Sequence, residues 1–329
     1  MDQKEPDSIE RELEITESPL WGIDLGGTKI EGIVIDPQSP ETPLARIRIP
    51  TEADNGYAHI VEQVAVLVKK LSEASGEAPP CVGIGHPGVL DPLSQTIKNS
   101  NTVCLNGEPL YDDLQRALGC QVYLANDANC FTLAEATLGA GAEANSVFGV
   151  ILGTGVGGSI VINNQVLYGA QGIAGEWGHN PVLLDDPAEF PGPLCYCGRR
   201  SCVETVISGP ALEQFYFQQT GTRMSLTKIR ERIDIDAEAG ATIDRLIRYF
   251  GKALGAVINI LDPELIVLGG GISNIDLLYT AGRDEIKKHI FNDRLETKIV
   301  KNLLGDSAGV FGAALLTAEF DTEETGDGE

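Results

Sequence analysis

Residues 21–36 read WGIDLGGTKIEGIVID, an apolar segment that turns through two glycines and continues as a second apolar segment. The pattern predicts two strands, the first of which ends at Asp24. Gly26 and Gly27 in the turn let backbone N–H groups approach an anion closely, while Thr28 and Lys29 add a hydroxyl donor and a positive charge. The P-loop pattern G-x4-G-K-[ST] is absent from the sequence. By itself, a strand–Gly-Gly–strand segment is more often a simple hairpin.

A second copy of this pattern weakens the simple-hairpin interpretation. Residues 147–163, VFGVILGTGVGGSIVIN, again read as strand, Gly/Thr-rich turn and strand. Two copies indicate a duplicated fold in which two phosphate-binding hairpins face one cleft. A third glycine cluster, residues 269–271, follows the apolar strand Leu265–Leu268. A ligand at the carboxyl ends of the strands would reach it.

The connecting segments alternate between helical and strand patterns. Residues 56–75 predict an amphipathic helix, and further helices are predicted at 212–217, 226–235, 241–261 and 309–318. Strands are predicted at 82–85, followed by a turn that contains His86, and at 122–125. Asp127 then lies between a strand end and a helix start, a position typical both of helix N-caps and of catalytic carboxylates in α/β enzymes. The neighbouring Asn126 and Asn129 favour a catalytic carboxylate.

Residues 175–204, GEWGHNPVLLDDPAEFPGPLCYCGRRSCVE, contain a group of metal-binding residue types. The spacing H-x15-C-x-C-x4-C of His179, Cys195, Cys197 and Cys202 is typical of tetrahedral zinc, although it is not that of a zinc ribbon. The alternative is a set of buried small hydrophobic residues. The intervening Pro and Gly favour a loop folded around zinc, and four protein ligands would make that zinc structural.

Length and charge limit the possible function. The 329 residues fit two domains, and the net charge of 24 − 48 = −24 argues against nucleic acid or anionic membranes as partners. Residues 1–18 and 319–329 are predicted to be acidic disordered tails. The cysteines outside residues 175–204, Cys81, Cys104, Cys120 and Cys130, are scattered, and the total of seven is odd. No signal peptide or membrane span is recognisable, and a cytoplasmic protein is therefore predicted.

Together these motifs resemble the ROK family of sugar kinases within the actin-like ATPase superfamily, over about residues 20–316. The similarity is carried by residues 24–29 (DLGGTK), 126–129 (NDAN), 152–158 (LGTGVGG), 176–179 (EWGH) and 195–204 (CYCGRRSCVE). GEWGHNP and CYCG are most similar to bacterial fructokinases of the manno(fructo)kinase type. Ser201 replaces the second glycine of the usual C-x-C-G-x-x-G-C loop, where a left-handed turn would be strained.

The resemblance implies an α/β fold of two domains with a cleft between them. It implies a smaller domain at 19–130, joined by a C-terminal helix at about 307–318, and a larger domain at 131–306 that contains the zinc loop. It also implies ATP and Mg²⁺ as cofactors beside structural zinc, a hexose substrate and a homodimer.

The resemblance also implies roles for individual residues. Asp127 is the expected catalytic base, and Asp24 is expected to hold Mg²⁺. The expected sugar-binding residues are Asn101, Asn126, Glu176, His179 and Glu204. The expected nucleotide-binding residues are Gly26, Gly27, Thr28, Lys29, Gly153, Thr154, Gly155, Gly270 and Gly271.

The expected reaction is phosphorylation of a sugar 6-hydroxyl by ATP, with D-fructose as the first choice of acceptor. Glucokinase, mannokinase and N-acetylhexosamine kinase are alternatives, because Glu176, His179 and Glu204 are common to all of these enzymes. A sugar-sensing regulator without catalysis is the alternative from another class. It predicts the loss of Asp127 or an added DNA-binding head, and neither is seen.

Overall fold

The structure, a computed structural model, describes residues 18–318. The acidic tails predicted from the sequence therefore lie, apart from residue 18, outside the described residues. Within 18–318 no helix combines the length and apolar character needed to cross a membrane.

The strands and helices alternate along the chain. The strands are β1 Leu20–Leu25, β2 Lys29–Ile35, β3 Ala45–Pro50, β4 Cys81–His86, β5 Val89–Leu90, β6 Ile97–Lys98, β7 Gln121–Asn126, β8 Ser146–Leu152, β9 Val156–Ile162, β10 Gln165–Val166, β11 Leu265–Gly269 and β12 Lys298–Lys301. The helices are α1 Tyr57–Ser75, α2 Leu110–Leu118, α3 Asp127–Thr137, α4 Glu204–Ile207, α5 Gly209–Thr220, α6 Leu226–Arg230, α7 Ala237–Leu261, α8 Ala281–Lys287 and α9 Ala308–Leu315.

Two five-stranded sheets repeat one topology. The first sheet has the order β3-β2-β1-β4-β7 and the second has the order β10-β9-β8-β11-β12. In each, a three-stranded antiparallel meander comes first, and two further strands then add parallel to its first strand. The duplication predicted from the two glycine hairpins is therefore present as two equivalent sheets.

Helices pack on both faces of these sheets. Helices α1 and α2 cover one face of the first sheet, where Ile60, Val64, Leu67 and Leu71 of α1 are fully buried as predicted. Burial of each such side chain contributes about 1.5–3 kcal/mol. Helix α7 covers the outer face of the second sheet. Helices α3 and α9 pack against each other in a third hydrophobic cluster that includes residues of both sheets.

Three predictions of local structure were wrong. The helix predicted at 226–235 ends at Arg230, and α7 begins at Ala237 instead of residue 241. The reason is Asp236, whose extended backbone interrupts the helical path and whose Oδ1 accepts hydrogen bonds from the amides of Glu238 and Ala239. His86 does not lie in a turn, because pairing with Asn126 of β7 extends β4 to include it.

Candidate active site

The carboxyl ends of β1, β4 and β7 bring the predicted polar residues to one edge of the first sheet. Asp24 pairs with Gly85 of β4, and Gly85 pairs with Ala125 of β7. Since neighbouring strands lie about 4.8 Å apart, the backbones at Asp24 and Ala125 are about 10 Å apart. His86 at the same edge is buried, and burial lowers its pKa to about 4, so this histidine is neutral.

Asn126 and Asp127 occupy the junction between β7 and α3. Asn126 is the N-cap of the helix, where its Oδ1 accepts a hydrogen bond of 2.7 Å from the amide of Asn129, and Asp127 is the first helical residue. Asp127 Oδ1 accepts a 2.9 Å hydrogen bond from the amide of Ala128. Asn129 in turn accepts a 2.6 Å hydrogen bond from Ser159 of β9. Helix α3 thus fixes Asp127 relative to both sheets.

Desolvation affects the pKa of both carboxylates. Burial raises the pKa of Asp24 to about 6, and the charge of Asp127 adds to this effect. Burial also raises the pKa of Asp127, against the hydrogen bond from the amide of Ala128. Two carboxylates in a partly desolvated site are candidates to bind a cation and to accept a proton.

Thr51, the residue directly after β3, stabilises the first glycine turn. The amide of Gly26 donates to the carbonyl of Lys29 at 3.0 Å. Thr51 is fully buried; its hydroxyl donates to the carbonyl of Gly26 at 2.6 Å, and its amide donates to the carbonyl of Thr28 at 3.0 Å. Gly27, Thr28 and Lys29 themselves are exposed. They do not line the two cavities described next, so this turn lies outside the walls of both.

A large cleft of about 990 Å³ lies between the two sheets. We call it the large cleft, and its volume is at the upper end of the range for small-molecule sites. It brings together every residue that was predicted to bind sugar, the predicted base and the second glycine turn: Asn101, Asn126, Asp127, Gly153, Thr154, Gly155, Glu176, His179 and Glu204.

Glu176 and Glu204 enter the large cleft from opposite ends of one loop. Glu204 is the first residue of α4, and its Oε2 accepts a 3.0 Å hydrogen bond from the amide of Val156, just after the second glycine turn. Burial, together with the charges of Asp127 and Glu204, raises the pKa of Glu176. The carboxylates therefore form a cluster of acceptors that can orient a polyhydroxylated ligand.

A smaller cavity of about 500 Å³ lies on the other side of the second glycine turn. Gly153 and Thr154 line both this small cavity and the large cleft. Gly271 lines the small cavity, whereas Gly270 does not. Gly270 has φ +79°, and the carbonyl of Leu152 is only 2.3 Å from where its Cβ would lie. Only glycine tolerates that conformation and contact. The remaining wall comes from α5 and α6 and includes Glu213 and Arg230.

The four predicted metal ligands are assembled in the loop of residues 176–204, which we call the metal loop. The ligand atoms of His179, Cys195, Cys197 and Cys202 lie within 4.8 Å of one another. Cys197 Sγ is 3.6 Å from Cys202 Sγ, and Cys195 Sγ is 3.5 Å from His179 Nδ1. Ligands at the corners of a zinc tetrahedron with bonds of about 2.0–2.3 Å are separated by similar distances. The donor set therefore fits zinc.

The chemistry of the cysteines agrees with this fit. The hydrogen bond from the Arg199 side chain lowers the pKa of Cys197 to about 6 and favours the thiolate. Burial raises the pKa of Cys202 to about 12, so a nearby cation is needed to keep both sulfurs ionised. Ser201 has φ +57°, which confirms the left-handed turn expected at this departure from glycine.

The metal loop also supplies residues that sequence reasoning did not single out. Tyr196 and Arg199 line the large cleft, and the hydroxyl of Tyr196 lies 2.8 Å from His179 Nε2. Their position between metal ligands was the only signal available for them. Glu213 and Arg230 of the small cavity carry no sequence signal, because only the packing of α5 and α6 brings them to the second glycine turn.

Comparison with known proteins decides the family. The sequence profile of the ROK family matches residues 20–319. The chain belongs to the ROK family. Among its curated relatives, the ROK protein is 35% identical over 303 residues to the N-acetyl-D-glucosamine kinase of Vibrio cholerae serotype O1, an alignment that covers 90% of this chain and 98% of that one.

Solved structures give the same result for the fold. The ROK hexokinase from Thermus thermophilus is 29% identical with a TM-score of 0.80, covering 91% of this chain and 97% of that one. A ROK glucokinase from Streptomyces griseus, solved with glucose and AMPPNP, is 29% identical with a TM-score of 0.70, covering 90% and 98%. The predicted actin-like ATPase fold of the ROK sugar kinases is confirmed. The limits of the two domains stay predictions.

Proposed function

We propose that this ROK protein is an ATP-dependent hexose kinase that transfers the γ-phosphate of ATP to the 6-hydroxyl of a hexose. The enzyme class, a phosphotransferase acting on a sugar hydroxyl, follows from family membership and from the kinases to which the chain is similar. The observation that carries the reaction is the position of the second glycine turn. Gly153 and Thr154 line both the large cleft, which contains Asp127, and the small cavity.

In this proposal the hexose occupies the large cleft and the nucleotide occupies the small cavity. Asp127 accepts the proton of the attacking hydroxyl, a role that its position at the helix start and in the wall of the large cleft supports. Glu176 and Glu204 orient the sugar by accepting hydrogen bonds from its hydroxyls, and the side-chain amide of Asn101 accepts from them or donates to them. Oδ1 of Asn126 accepts a hydrogen bond from the amide of Asn129, which orients the side chain, and its NH₂ group can donate to a ligand.

The phosphates are expected to lie between the two glycine turns. The first glycine turn binds the β- and γ-phosphates from one side through Gly26, Gly27, Thr28 and Lys29. The second glycine turn contacts them from the other side through Gly153, Thr154 and Gly155. Gly270 and Gly271 lie beneath the adenosine. Mg²⁺, when bound through Asp24, offsets the negative charge on the transferring group. Closure of the large cleft excludes water, which would otherwise compete as the acceptor.

The metal loop has a structural role in this proposal. Zinc held by His179, Cys195, Cys197 and Cys202 fixes the loop that carries Glu176 at one end and Glu204 at the other. Its contribution is therefore to the shape of the sugar-binding wall and not to the transfer of phosphate. A cytoplasmic location, a homodimer and the absence of nucleic-acid or membrane partners remain predictions.

Two hexoses are candidate acceptors. D-Fructose is supported by the similarity of residues 175–181 and 195–198 to fructokinases of the manno(fructo)kinase type. N-Acetyl-D-glucosamine is supported by the similarity to the kinase of Vibrio cholerae over nearly the whole chain. Apolar side chains such as Ile151, Leu167 and Ile173 line part of the large cleft and would accommodate an acetyl group.

A coupled assay of ADP release tests the proposal. Purified protein is given ATP, Mg²⁺ and one hexose at a time, with fructose, glucose, mannose, N-acetylglucosamine and N-acetylmannosamine on the panel. We expect release that depends on sugar, and the highest kcat/KM identifies the acceptor. Sugar binding by calorimetry without ADP release from any hexose would instead favour the sugar-sensing regulator.

A further inference from the structure

Asn101 lies in the wall of the large cleft, on a segment without regular secondary structure. The segment falls between β6, which ends at Lys98, and a single 3₁₀ turn at Val103–Leu105. The side chain of Asn101 is exposed and makes no hydrogen bond to any of residues 18–318. The direction in which this side chain meets a ligand is therefore set by its backbone alone.

Two neighbouring side chains hold that backbone on both sides of Asn101. Oδ1 of Asn106 accepts a 2.8 Å hydrogen bond from the amide of Ser100, and Nδ2 of Asn106 donates to the carbonyl of Ser100 at 2.9 Å. The hydroxyl oxygen of Ser100 accepts a 3.1 Å hydrogen bond from the amide of Thr102. The carbonyl of Ser100 and the amide of Thr102 belong to the two peptide groups that flank Asn101. Both peptide groups are therefore fixed by hydrogen bonds.

Asn106 is itself held by the closure of its loop. The amide of Gly107 donates to the carbonyl of Ile97 at 2.7 Å, and the amide of Ile97 donates to the carbonyl of Glu108 at 3.1 Å. The side chain of Asn106 is exposed and lines neither cavity. An effect of Asn106 on a ligand in the large cleft must therefore pass through the segment that carries Asn101.

We propose that Asn106 is a positioning residue for the hexose site, which holds the backbone of Asn101 so that its side-chain amide faces the sugar before the sugar binds. This inference rests on the proposed hexose kinase function. A side chain whose backbone is already ordered loses less freedom when it binds, so the contribution of Asn106 is to sugar affinity. Within the described part of the chain its side chain bonds to the backbone of Ser100 and Val103 and to nothing else, so the transfer step does not depend on it.

The test removes the side-chain amide of Asn106. In Asn106→Ala we expect the dissociation constant of the acceptor identified by the hexose panel, measured by calorimetry, to rise about 3- to 10-fold, the scale of one hydrogen bond to the sugar. The KM for the hexose should rise with it, while kcat at saturating sugar and the KM for ATP should stay at their wild-type values.

Asn259→Ala is the matched control. Asn259 is also exposed, and its side chain also bonds one backbone amide and one carbonyl, those of Phe291 and His289. It lines neither cavity, so this substitution should leave the dissociation constant and both KM values unchanged.

A double-mutant cycle with Asn101 separates positioning from a general loosening of the fold. Asn101→Ala should weaken sugar binding, and Asn106→Ala added to it should cause no further loss, because the side chain to be positioned is gone. Circular dichroism gives the melting temperature of each variant. If Asn106→Ala does not fold, Ser100→Ala is measured in the same way and with the same expectation, since it removes the acceptor for the amide of Thr102.

The outcomes distinguish the inference from the proposed function. An unchanged dissociation constant in Asn106→Ala, no loss in Asn101→Ala, or a full further loss in the double variant would each overturn the inference. An equal loss in Asn259→Ala would overturn it as well. A wild-type protein that phosphorylates no hexose would instead remove the proposed function itself.

Discussion

Replacement of Asp127 by asparagine separates binding from catalysis. Asparagine has nearly the same shape and keeps an oxygen that can accept the hydrogen bond from the amide of Ala128, so α3 and the large cleft should be preserved. What is lost is the base. General bases contribute typically about 10²–10⁴-fold to turnover, which corresponds to about 2.7–5.4 kcal/mol of the activation barrier. We therefore expect kcat to fall by that factor while the affinity for hexose stays within a few fold.

The same substitution has two further consequences that its electrostatics predict. Burial raises the pKa of Asp127, so the charged carboxylate opposes folding at neutral pH, and the variant should melt at the wild-type temperature or above it. The charge of Asp127 also contributes to the raised pKa of Asp24, about 6 in the wild type. Without that charge the pKa of Asp24 should fall, and Mg²⁺-dependent binding of ATP should persist to lower pH.

The assay measures kcat and KM from ADP release, sugar affinity from calorimetry and melting temperature from circular dichroism. Asp112→Asn is the control for removal of an acidic charge, since Asp112 is exposed on α2 and lines neither cavity. Near-normal turnover in Asp127→Asn, with Asp112→Asn equally active, would refute the assignment of the base. Loss of sugar binding together with turnover would show that Asp127 holds the substrate and does not act on its proton.

Three further predictions concern metal, pH and the first glycine turn. Cys197→Ser should lower the zinc content from about one per chain towards zero and raise the KM for hexose. Cys81→Ser, which lies outside the metal loop, should leave the zinc content and the KM unchanged. Metal analysis that finds no zinc in the wild type would contradict the prediction of a structural zinc. Because Asp24 must be ionised to hold Mg²⁺, activity should fall as the pH drops through about 6. The pKa of Asp24 in the folded protein lies above its ordinary value of 3.8, so its charge opposes folding at pH 8, and Asp24→Asn should be inactive but more stable than the wild type at that pH. An equal melting temperature would argue against the raised pKa of Asp24. Thr51→Val removes the hydroxyl that donates to the carbonyl of Gly26, which should lower the free energy of unfolding by about 1–3 kcal/mol and raise the KM for ATP. Thr51→Ser keeps a hydroxyl and should restore the stability and the KM. An unchanged KM in Thr51→Val would show that the turn does not need this contact.

The sequence alone was sufficient for those parts of the site that local patterns encode. Asp24 and Asp127 follow apolar strands, and strand ends in an α/β fold meet at one edge, so their proximity was predictable before any coordinates. The candidate metal ligands were recognisable because Cys and His at short spacing have few other uses. Ser201 could be assigned a left-handed conformation from the glycine it replaces, and the structure gives φ +57°.

The remainder depends on contacts that local patterns do not encode. Asp236 ended one helix and capped the next, and its hydrogen bonds could not be seen in the periodicity of Leu226–Ile235. His86 was drawn into β4 by pairing with β7. Tyr196 resembled a spacer between two cysteines until the structure placed its hydroxyl against His179. For His86 and Tyr196 the partner is distant in sequence, whereas Asp236 acts through the amides of the residues that follow it, which a hydrophobic periodicity does not reveal.

The most direct measurement of the central claim is a structure of the protein with a hexose and a non-hydrolysable ATP analogue. The account predicts the sugar in the large cleft, the adenosine in the small cavity over Gly271, and the carboxylate of Asp127 about 2.6–3.2 Å from the hydroxyl that faces the γ-phosphate. An acceptor hydroxyl beyond the reach of Asp127, with another side chain or none beside it, would contradict the account.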